Sequence, residues 1–534
     1  MLTPRLLLVL ALLLGLIPTA SSQETIRTLK ADVSDEPFVT ARDLIKPNWF
    51  PNAAYGMKVE SVRDGETAVV TTTGAEFRIN KSAGTIECKQ RIGKARTVAT
   101  MTLPEGVLSG LKLSHESSGA AIFSSDRTSV RVNGDSLLMI QPAADCQVAA
   151  ELAFTPDYHS QYQGSFNFFD PHGGISFFDH GWQPSPTFEG VQDPVRVTWN
   201  WKGGDVLWAG VSPPREYDWA KSFEQRIVMR GSSSQRYMFP DELTIRWLAR
   251  AGGFNVFYQH AENVWVNWQR DLVPLNEKEY LRMMQQANAE KMPVMVYASP
   301  KHFTDGTIVE DRAKNDVDDP RAAGWTTGSN ARIFMFQAKR LKERYETAGF
   351  YFDEMYTNTK ALAANYYLAR SCRELLGDDA PFMYHCTEDA LGARVPGDLV
   401  GTTHCPTLHT YFDAIYKGEG IGMPGQKLTW ENVDEHFPGY TRYNLGTYNV
   451  SNAFAIPCLD RGPWIDGPIL DDLMKRANIR LVMPEVFLYS EKSVPYWRDY
   501  LPRLRPGLKE ELEPTLLKRT GAFEAWRKKQ AGGR

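Results

Sequence analysis

Near Asp241 the sequence changes its rhythm, and the new rhythm admits few architectures. Downstream, short apolar runs alternate with stretches of helical period: Asn255–Tyr258, Pro293–Tyr297, Phe350–Phe352, Pro381–His385, Leu399–Thr402, Phe412–Tyr416, Ala453–Ile456 and Arg480–Met483. Parallel strands need helical crossovers between them, and this spacing supplies the room. Seven or eight strand–helix units over about 250 residues match a (β/α)8 barrel of TIM type. A doubly wound open sheet is the other fold with this rhythm, but no Gly-rich fingerprint opens a helix after the first strand. The expectation is a barrel over residues 241–494, with a polar, helix-prone tail, 495–534, packed on its outside.

Three helices are marked by their ends. Asn276-Glu277-Lys278-Glu279 offers an N-cap and an N3 glutamate, followed by Tyr280, Met283, Met284 and Ala287 at helical spacing. Ile333 to Ala348 reads as an amphipathic helix stopped by Gly349, and Ala361 to Leu376 as one stopped by Gly377, each glycine in the position of a left-handed cap.

Upstream, residues 24–240 carry period-two runs and turn residues with few helical periods, which predicts an antiparallel β-sandwich. Asn133-Gly134 between Thr128–Val132 and Ser136–Ile140 fits a type I′ hairpin turn. The Phe-rich runs Phe166–Asp170 and Ser176–Asp179 are expected in the sandwich core. Residues 1–22 read as an export signal: one positive charge, an apolar run from Leu6 to Ile17, then small residues. That run is too short to span a bilayer, and no later one is longer without charge or Gly/Pro. A secreted or periplasmic location is expected.

Composition removes other classes. With 43% hydrophobic and 23% charged residues the 534-residue chain has ordinary globular make-up. Lys+Arg 60 against Asp+Glu 64, without blocks of like charge, argues against a nucleic-acid partner. The six cysteines form no C-x-x-C pair and do not make a disulfide scaffold. Aromatics reach 12%, with 14 Trp and 22 Tyr, more rings than packing needs and good platforms for sugar faces. Oligomeric state is not legible.

In a barrel the chemistry stands where strands end. The sharpest candidate is Gly349-Phe350-Tyr351-Phe352-Asp353-Glu354, an apolar strand running into two acids. Strand geometry sends neighbouring side chains to opposite faces, so both acids reach one cleft only if the backbone turns at Asp353. Two close acids disfavour joint ionisation, which keeps one as a general acid. Glu419 is the third catalytic candidate. Substrate-binding candidates near other strand ends are His260, Trp265, Trp268, Tyr297, Tyr356, His385, Asp413, Tyr443 and Glu485. His385, His404, Cys405 and His409 match no standard zinc spacing, so neither a metal nor another cofactor is expected.

An exported sandwich-plus-barrel chain with a Gly-aromatic-Tyr-aromatic-Asp-Glu strand, and with the Gly418-Glu419 step after Tyr411–Lys417, resembles the barrel glycosidases, most closely glycoside hydrolase family 123 and its bacterial relatives. The resemblance implies substrate-assisted hydrolysis of N-acetylhexosamine glycans, in which Glu354 protonates the glycosidic oxygen and Asp353 orients the acetamido group. On another sugar Asp353 would be nucleophile or base, with Glu419 across the cleft. The rivals are a non-catalytic carbohydrate-binding barrel and a polysaccharide lyase.

Overall fold

The computed structural model describes residues 39–156, 158–162, 165–170, 172–179, 187–188, 195–216, 227–230, 242, 245–246, 249, 256–259, 265–267, 271–274, 276–300, 328–353, 359–386, 406–417, 451–455 and 480–484. The segments expected as export signal (1–22) and tail (495–534), and the strand expected at Leu399–Thr402, lie outside them.

The amino-terminal part is two eight-stranded antiparallel sheets. In spatial order the first is Val59–Arg63, Thr67–Thr72, Ala75–Asn80, Thr85–Gln90, Arg96–Thr102, Cys146–Leu152, Arg196–Trp201 and Thr187–Phe188. The second is Tyr158–Tyr162, Ser165–Asp170, Gly173–Asp179, Leu207–Ser212, Leu137–Pro142, Thr128–Asn133, Ala120–Ser124 and Lys112–Glu116. The alternation expected from sequence places Val70, Phe77 and Ile86 of the first sheet in one core with Phe123, Leu138, Phe168 and Phe177 of the second. The hairpin around Asn133 forms, but not through an Asn-Gly turn. The left-handed residue is Ser136 (φ 62°), while a Cβ on Gly134 would meet the Lys58 backbone at 2.7 Å, so Gly134 is there for close approach. Cys88, Cys146 and Cys372 are free thiols.

The second part is a closed barrel of eight parallel strands. They are β1 (Ile227–Arg230), β2 (Val256–Gln259), β3 (Val294–Ala298), β4 (Gly349–Phe352), β5 (Phe382–Cys386), β6 (Ala414–Lys417), β7 (Ser451–Ala455) and β8 (Arg480–Pro484), with β1 closing on β8. The first strand precedes residue 241, where the sequence rhythm put the change. Long helices are described at α1 (Glu277–Ala289), α2 (Gly328–Tyr345) and α3 (Thr359–Leu376). Asn276 caps α1, accepting the Glu279 N–H at 3.2 Å, and Tyr280, Met283, Met284 and Ala287 form its buried stripe. Each large side chain on that stripe contributes roughly 1.5–3 kcal/mol by leaving water. No helix among the described residues is long and apolar enough to cross a membrane.

The two expected glycine caps differ. Gly377 (φ 90°) ends α3 as expected, its N–H donating to the Arg373 carbonyl at 2.8 Å. Gly349 is not a cap. Helix α2 stops at Tyr345, Glu346 takes the left-handed position (φ 56°), and Gly349 opens β4. A Cβ there would lie 1.9 Å from the Pro381 carbonyl oxygen, so the glycine lets β4 approach the chain entering β5.

The second sheet docks on the barrel. Leu207–Ser212 is buried throughout, because Leu207, Ala209 and Val211 face the first sheet while Trp208 faces α3, its ring 5.2 Å from that of Tyr366. Asp135 accepts hydroxyl hydrogens from Tyr366 at 2.7 Å and Tyr411 at 2.6 Å. Arg370 donates to the Tyr366 hydroxyl at 3.0 Å and to the Asn52 carbonyl at 3.1 Å.

Candidate active site

The site is fixed by strand register before any loop is considered. Tyr297 of β3 pairs with Tyr351 of β4. Phe350 and Phe352 pack on Phe334 of α2, at centroid distances of 5.1 and 5.6 Å, so these two face the helical layer. Period two then turns Tyr351 and Asp353 to the barrel interior. The ladder persists as far as Asp353, whose N–H donates to the Ala298 carbonyl at 2.7 Å.

On that inner face Tyr297 stacks on Tyr351, with centroids 5.9 Å apart and planes 23° apart. The Tyr297 hydroxyl donates to Oδ2 of Asp353 at 2.8 Å. Tyr297 is buried, at 5% exposure, while Asp353 is half-buried at the strand's carboxyl end. A carboxylate in this position can accept a substrate N–H or O–H, take up a proton, or attack as a nucleophile. Because β1 precedes residue 241, Asp353 ends the fourth barrel strand, where the sequence count made it the third. The missed strand, Ile227-Val228-Met229-Arg230, left one signal: a lone apolar run inside the segment assigned to the sandwich.

Of the other candidates, Glu354, Glu419, His260, Trp268, Tyr356, Tyr443 and Glu485 lie outside the described residues. His385 lies in β5 at the register position opposite Tyr416. Two candidates are corrected. Trp265, expected to stack on sugar, is 3% exposed and packs on Tyr280 of α1 at 5.2 Å, in a small antiparallel ribbon with Asp271–Pro274. Its ring has no free face to offer a pyranose at that exposure.

Asp413, expected at a strand's carboxyl end, precedes β6 and so stands at the opposite end of the barrel. It is buried. Its Oδ2 accepts the Phe382 N–H at 2.8 Å and Arg373 Nη2 at 3.3 Å, and its Oδ1 accepts the Tyr55 hydroxyl. The Arg373 and Arg215 guanidinium groups each lie 3.9 Å from the Tyr55 ring centroid. These contacts make Asp413 a structural anchor for the barrel base. Contacts of this kind at the amino-terminal face serve stability.

Burial pushes the Tyr366 and Tyr411 hydroxyls well above the ordinary phenol range, so both remain donors to Asp135 at neutral pH. Burial pulls Arg131 down to about 10, still a cation, and it donates to Asn133 Oδ1 at 2.6 Å. Sequence reasoning passed over this cluster, although Tyr366 and Arg370 on an apolar helix at i, i+4 were a visible sign of it. Among the described residues no group of three His, Cys, Asp or Glu could hold a metal ion. His409 packs against the Tyr384 ring at 5.2 Å.

No protein-family model matches the chain, and no curated protein matches it. Solved structures similar to it are glycoside hydrolases at low identity. CpGH84B shares 12% identity at TM-score 0.33, over 56% of this chain and 48% of that one, so the chain spans about half of that protein. The GH31 dextranase of Flavobacterium johnsoniae shares 9% at TM-score 0.38, over 86% of this chain and 71% of that one. The ER glucosidase II heterodimeric complex shares 8% at TM-score 0.36, over 93% and 73%.

Proposed function

We propose that the chain is an exported glycoside hydrolase with a (β/α)8 barrel, similar to family 123, that acts on N-acetylhexosamine-containing oligosaccharides or glycans without metal or other cofactor. The observation that carries this reading is the Asp353 carboxylate, half-buried at the carboxyl end of an inward-facing barrel residue series and bonded to Tyr297 at 2.8 Å. Barrel enzymes build their chemistry at that end.

In this reading Asp353 accepts the substrate's acetamido N–H and aligns its carbonyl oxygen on the anomeric carbon. That oxygen forms the new bond as the glycosidic C–O bond breaks, and the proton of Glu354 passes to the leaving oxygen. Water then opens the cyclic intermediate and returns a proton to Glu354. The scheme needs no protein nucleophile. Trp268, Tyr356 and Tyr443 would stack on sugar rings, with His260, His385 and Glu485 binding hydroxyls.

The test is turnover of 4-nitrophenyl 2-acetamido-2-deoxy-β-D-glucopyranoside and its galacto isomer by the full chain. Glu354→Gln is expected to lose roughly 10²–10⁴-fold in rate, the range of general acid catalysis. Sugar binding without turnover would instead favour the non-catalytic barrel, and unsaturated uronate products would favour a lyase. Export is tested by sequencing the secreted chain's amino terminus, expected after Ser22.

A further inference from the structure

We infer that Tyr297 is a positioning residue for Asp353: its hydroxyl locks the rotation of the carboxylate, and the side chain is not a sugar contact. This rests on the reading of Asp353 above and gives Tyr297 a different task from the sugar-binding one expected from sequence.

A phenol has one hydrogen to donate. Tyr297 gives its hydrogen to Oδ2 of Asp353 at 2.8 Å. The ring is 5% exposed and lies on Tyr351 at 5.9 Å with a 23° tilt, which leaves little surface for a pyranose. Tyr297 stands on β3 and Asp353 directly follows its partner strand β4, and the ladder bond from Asp353 N–H to the Ala298 carbonyl, 2.7 Å, ties the two backbones just where the side chains meet. The backbone on both sides of the contact is therefore tied by the ladder. Supporting contacts of this sort set how accurately a reactive group is presented, and an error of about 1 Å costs on the order of 10²-fold in rate.

Tyr297→Phe removes the hydroxyl and keeps the ring stack. With 4-nitrophenyl 2-acetamido-2-deoxy-β-D-glucopyranoside and the full chain, kcat is expected to fall about 10- to 100-fold with KM inside about twofold, the pattern of a lost transition-state interaction. In the Asp353→Asn background the same change alters the residual rate by less than about twofold, since the two residues act as one unit. A loss carried mainly by KM, unchanged kinetics, or losses that multiply in the double variant would each overturn the inference. Should Tyr297→Phe fail to fold, 3-fluorotyrosine at position 297 keeps the shape and changes the donor strength of the phenol, and kcat then changes with KM inside about twofold; unchanged kinetics count against the inference. Wild-type turnover by Asp353→Asn alone would sink the functional reading instead, so the two failures are separable.

Discussion

Replacing Asp413 with alanine separates structure from chemistry, because this acid stands at the wrong end of the barrel for substrate. The carboxylate serves the Phe382 N–H at 2.8 Å and the Tyr55 hydroxyl, and truncation takes that acceptor from each. A buried donor deprived of its acceptor costs about 1–3 kcal/mol. Arg373 also loses its carboxylate partner, but keeps the carbonyls of Ala380 at 2.6 Å, Tyr411 at 2.5 Å and Asp378 at 3.2 Å. Its share therefore falls short of the 3–5 kcal/mol, in round terms about 4, that a stripped buried ion pair costs. The two donors give about 2–6 kcal/mol of destabilisation, and the Arg373 share adds to it. Urea unfolding followed by tryptophan fluorescence measures it, alongside kcat and KM below the transition. Asp413→Ala should lower the unfolding midpoint while kcat and KM of the folded protein stay within about twofold of wild type. An unchanged midpoint with a KM raised about tenfold would refute the anchor role and restore Asp413 to the sugar site.

The two glycines give a paired test in the same unfolding assay. Gly349→Ala forces a Cβ against the Pro381 carbonyl and is expected to cost at least the 1–3 kcal/mol, about 2 typically, of overpacking, whereas Gly377→Ala meets open space and costs only backbone strain of about 1–2 kcal/mol. A milder effect at Gly349 would contradict the close-approach account. Trp265→Ala should cost about 3–5 kcal/mol as a large core truncation, with KM unchanged; a KM effect without destabilisation would return Trp265 to the cleft. Asp170 tests pH dependence. Burial alone would raise its carboxyl, but two bonds from Arg96, 2.5 and 2.9 Å, and the His172 N–H outweigh that and hold it below the ordinary range. A depressed folded value means stability that is present above the unfolded value of about 3.9 and lost as pH falls through the folded one. Asp170→Asn should therefore melt below wild type at pH 7, with the gap closing below about pH 4; a gap that persists in acid would refute the assignment.

What the sequence disclosed and what it hid follow from what periodicity encodes. Period two and period 3.6 located the strands at Thr128, Val294, Gly349 and Phe382 and the stripe on α1, because burial imprints those periods directly. Hydropathy has no direction along a strand, however. Phe412-Asp413-Ala414 looks the same whether Asp413 leaves a strand or enters one, and the strand pairing, which begins with Met383 opposite Ala414, shows that Asp413 enters it. The same limit applies to glycine. Gly349 and Gly377 both follow helical patterns, yet one is chosen for a neighbour that arrives from residue 381 and the other for its own backbone angle. Buried cations were hidden for another reason: Arg131, Arg370 and Arg373 are at most 1% exposed, and only the partners brought by the fold make such burial tolerable. At the site, the Tyr297–Asp353 contact was implicit in the parallel register, but register is set by the whole barrel and not by either segment.

The docked sandwich and the candidate site occupy opposite ends of the same strands. Asp378, Ala380, Tyr411 and Asp413, which meet Tyr55, Arg373 and Asp135, all precede β5 or β6, whereas Asp353 follows β4. A four-residue strand spans on the order of 13 Å, so the interface and the carboxylate are separated by the barrel's thickness. The interface is also polar by design of its parts: protonated phenols on Asp135 and guanidinium groups on carbonyls, bonds whose value depends on both bodies being folded and in register. Such a joint fixes orientation and returns little to a neighbour that shifts. The second sheet and the segment around Tyr55 thus brace the base from which β5 and β6 rise, and leave the opposite rim to the loops that follow the strands. Substitutions along Asp135, Arg370 and Asp413 are expected to act on stability, and on the proposed reading those at Tyr297 and Asp353 act on turnover, because no hydrogen bond described between the sandwich and the barrel reaches the carboxyl ends.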